Sequence, residues 1–262
     1  PYYGTSPTIY DYLSDANKWF FGGKRWMQDV LSFDIYPIAY RLHPSLNYSD
    51  KGPYAAYLIA VDNFQAFNKN LAPFIPVLEV CRLRETSPDA VTEEQVYMSA
   101  WLNVVHGAKG ITWFPFFLMA STGRWEAMKK FSEQMKTLTP VVLSPPSNKT
   151  VIDDANTPLN RVDIMVREYE GYLYIFAVRV TEPDPIEGSL YTQYEPDFIS
   201  VNFTISNFSG NNVAQVIDEN RTISIKDGIF TDTFAKNAVH IYKIPLGGDT
   251  TPPAPPRNLR VE

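Results

Sequence analysis

One cysteine, Cys81, stands among 262 residues, which excludes an intramolecular disulfide framework. Histidine is almost as scarce, at three residues, and no second His or Cys lies at metal spacing from His106. Basic charge is in deficit: 23 Lys and Arg against 29 Asp and Glu leave a formal charge of −6. With no Lys/Arg cluster either, a nucleic-acid surface is not expected. No apolar run approaches the roughly 18 residues of a membrane span. No Gly-rich phosphate loop follows any strand-like run, so dinucleotide binding has no support. The opening Pro1-Tyr2-Tyr3 carries no Met and no signal-peptide pattern and reads as the inside of a longer polypeptide.

What is present is an ordinary globular composition, 45% apolar and 20% charged, in a chain long enough for one large core or two modest ones. Aromatic residues are generous and spread along the chain, as in large cores and in sugar-stacking platforms alike. Asn-x-Ser/Thr sequons occur at Asn47, Asn148, Asn202, Asn207 and Asn220. They matter only in an extracytoplasmic, glycosylating setting.

Residues 1–140 alternate between strand-like and helical runs. Helices are expected over 6–20, 54–68, 92–106 and 124–138, the third opened by a Thr92/Gln95 capping box and followed by Gly107 and Gly110. Strands are expected over 30–37, 73–80 and 111–116. Nearly continuous apolar strands alternating with helices, about 40 residues apart, mean a helix-covered parallel sheet of barrel or doubly wound type. From Pro140 the pattern changes. Ser144-Pro145-Pro146-Ser147 punctuates the chain, and short alternating runs follow at 162–167, 172–180, 198–205, 213–217 and 238–244, with turns such as Glu170-Gly171 and Ser209-Gly210 between them. This is the pattern of an antiparallel β-sandwich. A Pro-rich linker from Gly247 leads to Arg257–Glu262, which resembles the opening strand of a fibronectin type III module.

In a barrel, chemistry sits at the C-terminal strand ends. Here those ends carry Asp34 and Tyr36, then Glu79, then Trp113. Phe33-Asp34-Ile35-Tyr36-Pro37, Pro76-Val77-Leu78-Glu79 and Gly107-Ala108-Lys109-Gly110-Ile111-Thr112-Trp113 together resemble strands six, seven and eight of clan A glycoside hydrolases, retaining enzymes on an eight-stranded (β/α) barrel. The resemblance implies the C-terminal half of a TIM (β/α)8 barrel over 1–140, a β-sandwich over 141–246, and linker plus module start over 247–262. It makes Glu79 the nucleophile, Tyr36 the hydrogen-bond donor that orients it, and Trp113 the floor of a sugar subsite. It implies a poly- or oligosaccharide substrate, no cofactor, and a location outside the cell or at its surface. The acid/base residue of such enzymes follows strand four and precedes this chain. Three strands cannot close a barrel, so the N-terminal half is expected from an upstream segment or another chain.

Each residue also has a plainer reading. Glu79 is a structural carboxylate if paired with Arg82 or Arg84. Asp34, which shares the parity of Tyr36, reads as a buried Asp bonded to backbone or as a substrate contact. Trp113 is subsite floor or core filler. His43, in a Pro-flanked loop, is a further candidate for the cleft. His106 reads as a satisfied packing histidine, Cys81 as an inert thiol, and Glu93 and Glu94 as helix-start acids. The rival to an enzyme is a non-catalytic surface, structural or carbohydrate-binding protein on a degenerate barrel.

Overall fold

A computed structural model describes residues 30–32, 34, 36–38, 52–68, 72–80, 91–114, 122–155, 161–185 and 191–246. The expected helix at 6–20, the Asn47 sequon, His43, Cys81, Arg82, Arg84 and the 247–262 tail lie outside them.

The first part is built as the alternation requires. Helix α1 spans Pro53–Asn68, strand β1 Val77–Glu79, helix α2 Glu93–Val105, strand β2 Thr112–Phe114 and helix α3 Thr122–Leu143. β1 and β2 pair in parallel, Leu78 opposite Trp113 and Glu79 opposite Phe114. Parallel bridges Leu31–Phe74 and Asp34–Val77 add the preceding segment on the other side of β1. Three parallel rungs therefore run in chain order. The capping box is formed: Gln95 N–H donates to Thr92 Oγ1 at 3.2 Å, and Thr92 N–H to Gln95 Oε1 at 2.9 Å. α3 runs past the expected end at 138, straight through Pro140. Pro140 forfeits one backbone donor. Burial of Leu138, Val141 and Val142 against the core holds the last turn in place.

The second part has eight strands: β3 Val151–Asp153, β4 Arg161–Tyr169, β5 Tyr172–Val180, β6 Phe198–Ile205, β7 Asn211–Val216, β8 Arg221–Lys226, β9 Ile229–Ala235 and β10 Val239–Pro245. They form one antiparallel sheet, in the order β3-β6-β9-β8-β7-β10-β5-β4, where two separate sheets were expected. The sheet curls upon itself. Phe203 of β6 meets Tyr242 of β10, four places away in the order, at a ring separation of 5.7 Å. The two edges are linked by one stretch of chain, in which Pro146 bridges Arg167 on β4 and 151–153 pair with β6. The inner face carries Leu173, Ile175, Val201, Phe203, Ala214, Val216, Phe230, Phe234 and Ile244. Alternation along β6 and β9 is strict, one residue in and the next out, because the other face meets solvent.

The outer face of β5 is not solvated. Tyr174, Phe176, Val178 and Val180 join the same apolar cluster as α1, α2, α3 and β1. Trp101 of α2 lies at that junction, fully buried, stacked on Phe176 at 5.4 Å and edge-on to Phe131 of α3 at 5.3 Å. One core thus joins helices and sheet. None of the described helices is long and apolar enough to cross a membrane.

Candidate functional site

β1 is the middle rung, and Glu79 closes it at its C-terminal end. Register fixes what stands beside it. Asp34 pairs with Val77, so two residues on Tyr36 is level with Glu79, and Phe114 is level with Glu79 from β2. Side chains in register on neighbouring strands share a face. The Tyr36 and Phe114 rings accordingly lie stacked, 5.9 Å apart and 10° from parallel. Glu79 is 5% exposed, and its Oε1 accepts the Ile38 N–H at 2.7 Å. A carboxylate brought out of water needs such charge-assisted donors. The site is therefore a buried carboxylate at the C-terminal end of a parallel strand, with aromatic residues level with it on both neighbouring strands.

Asp34 is exposed and accepts the Tyr36 hydroxyl at 3.3 Å on Oδ2, so it is not the buried, backbone-bonded Asp considered from sequence. It is the other carboxyl on this face among the described strand residues. Trp113 points the opposite way. Its register partner is Leu78, and its ring packs edge-on to Phe131 of α3 at 6.1 Å. The core-filler reading of Trp113 fits this position, and the aromatic residue beside Glu79 is Phe114, 43% exposed.

His106, at the C-terminal cap of α2, is satisfied on both ring nitrogens. Nδ1 meets Asp62 of α1 and Nε2 meets Asp163 of β4, each at 2.7 Å. Burial pushes the imidazole pKa down, but the bonds to Asp163 and Asp62 outweigh it and carry it up to about 9 from 6.5. A raised folded-state pKa means stability that is fully present below pH 6.5 and is lost as pH rises through 9. The difference amounts to about 3 kcal/mol. Urea unfolding between pH 6 and 10 should show this decline, to which Glu182 adds up to pH 8, and His106→Gln should remove the part of the slope between pH 8 and 9. An unchanged slope would refute the bridge.

Sequence reasoning missed Glu182, which follows β5. It is 6% exposed and accepts the Tyr54 N–H at 2.7 Å and the Ala55 N–H at 2.6 Å. These are orphan donors of α1's first turn. Burial pushes the Glu182 carboxyl up to about 8, against those two bonds. One signal was available: α1 opens on Gly52-Pro53, with none of the usual capping side chains. Among the described residues no group of three or more His, Cys, Asp and Glu could hold a metal ion.

No family model matches this chain, and no curated protein matches it. Solved structures do. It is similar to an α-amylase from Geobacillus thermoleovorans complexed with acarbose, at 11% identity over 81% of this chain and 48% of that one, with a TM-score of 0.49. An Anoxybacillus α-amylase matches at 10% identity over 89% of this chain and 49% of that one, with a TM-score of 0.49. CelM2, a bifunctional glucanase-xylanase from a metagenome library, matches at 15% identity over 89% of this chain and 46% of that one, with a TM-score of 0.47. The chain spans about half the length of these structures.

Proposed function

We propose that this chain is the nucleophile-bearing half of a retaining glycoside hydrolase, in which 1–140 completes a (β/α)8 barrel and the β-sheet unit buttresses it. Glu79 attacks the anomeric carbon and forms a glycosyl ester. An acid from the other half of the barrel protonates the departing oxygen, then draws a proton from the water that releases the sugar. Tyr36, its hydroxyl donated to Asp34 at 3.3 Å, and Phe114 stand level with the carboxylate on the two neighbouring strands. Asp34, exposed on the same face, contacts the substrate, and His43 is a further candidate for a substrate contact. The substrate is an oligo- or polysaccharide, and the protein works outside the cell or at its surface. The single observation that carries this reading is a buried carboxylate ending the central rung of three parallel strands, with Tyr36 and Phe114 level with it.

A second reading rests on the bond from Ile38 N–H to Glu79 at 2.7 Å. On that reading Glu79 ties two strand ends together in a non-catalytic barrel. Turnover by the assembled wild-type barrel that is lost in Glu79→Gln with folding retained supports the enzyme, a wild type without turnover supports the second reading, and full turnover in Glu79→Gln refutes the nucleophilic role.

A further inference from the structure

Helix α1 has no cap of its own. Gly52, at its N-terminal boundary, has φ +100°, and a methyl group there would come within 2.4 Å of the Glu182 carboxyl carbon. The missing side chain leaves room for a carboxylate that arrives from the sheet, 128 residues away from Tyr54 in sequence. That carboxylate is itself braced. Glu195 Oε1 accepts the Glu182 N–H at 2.9 Å, and Glu195 Oε2 lies 3.9 Å from Arg179. Arg179 is fully buried and donates to the carbonyls of Phe234 at 2.9 Å and Asp197 at 3.1 Å, and to that of Pro196.

The turn held in this way packs in the same buried cluster as Leu78 and Val80, the residues on either side of Glu79. Tyr54 is buried, with its hydroxyl on Ser99 Oγ at 3.3 Å. Tyr57, three residues on, donates to Asn103 Oδ1 at 2.6 Å. Burial raises both phenols first, and the charge of Glu79 raises both further. We infer that Glu182 is a positioning residue: by capping α1 from the sheet it fixes the Tyr54–Tyr57 turn against Glu79, so the sheet sets the surroundings of the site carboxylate. The inference rests on Glu79 being that carboxylate.

The test is NMR on the full chain, with Glu carboxyl carbons and Tyr, Ala and Gln amides labelled. In the wild type, the Tyr54 and Ala55 amides and the Glu79 carboxyl resonance should all show a step at the titration midpoint of Glu182. Glu195 and Arg161 are the charged groups that act on Glu182, and their own steps are followed alongside. Glu182→Gln keeps the shape but turns an NH2 group toward an N–H. It should abolish that step and speed exchange of the two amides about tenfold, leaving the Gln95 amide of the self-capped α2 unchanged. Unchanged amide exchange, or faster exchange with an unmoved Glu79 resonance, would overturn the inference. If the variant does not fold, the wild-type titration alone decides, and a Glu79 resonance blind to Glu182 refutes it. The readout needs no substrate, so full turnover in Glu79→Gln would sink the nucleophile reading while leaving the clamp standing.

Discussion

Glu79→Gln is expected to lower kcat by on the order of 10⁴- to 10⁶-fold, the scale set by removal of a covalent nucleophile. The amide is nearly isosteric but has no charge with which to attack an anomeric carbon. Stability should hardly move, because the amide oxygen can still accept the Ile38 N–H where Glu79 Oε1 now does. Glu79→Ala completes the comparison. It leaves the buried Ile38 N–H without an acceptor, at a cost of about 1–3 kcal/mol. The enzyme reading predicts that both variants are inactive and only the alanine form is destabilised. If the role is structural, the glutamine form keeps its activity. Steady-state kinetics with urea titration of each variant distinguishes them.

The largest effect on stability is expected at Trp101. The indole is fully buried, touches rings from both α3 and β5, and donates to Gln134 Oε1 at 3.1 Å. Gln134 also accepts from Tyr97 at 2.5 Å and donates to Asp218 at 2.7 Å, so one side chain ties α2, α3 and the turn after β7. Trp101→Ala removes an aromatic volume where helices and sheet share one core, at a cost of about 3–5 kcal/mol. Because the core is shared, helix and sheet signals should fall together to a lower urea midpoint. Trp101→Phe keeps most of the packing and loses the N–H donor, for about 1 kcal/mol. Loss of the helical signal alone in Trp101→Ala would argue against a common core.

The sequence made some of this legible and hid the rest for physical reasons. Apolar strands separated by amphipathic helices identified the three rungs, and the Thr92/Gln95 pair located the start of α2, because these signals are local. Strand-end logic led to Glu79, and parity placed Asp34 and Tyr36 on one face. The resemblance points to Trp113 as subsite floor, whereas Phe114 is the residue level with Glu79. Only the register of β2 against β1 settles which of two adjacent aromatic residues faces the carboxylate. β8 and β9 were missed because Thr222, Ser224, Thr231 and Thr233 interrupt any apolar run. The Asp227-Gly228 turn between them, with φ of 49° and 79°, was a usable hairpin signal. Glu182 could not have been assigned as the cap of α1 from local pattern, because donor and acceptor meet only through the fold.

The most direct test of the central claim is covalent trapping. A 2-deoxy-2-fluoro glycoside with a good leaving group slows both steps of retaining hydrolysis and lets the glycosyl ester accumulate. Incubated with the assembled barrel and digested for mass spectrometry, it should add one fluorosugar to the peptide carrying Glu79, and none in Glu79→Gln. A sugar adduct on any other carboxylate, formed while Glu79 stays unmodified, would contradict the account.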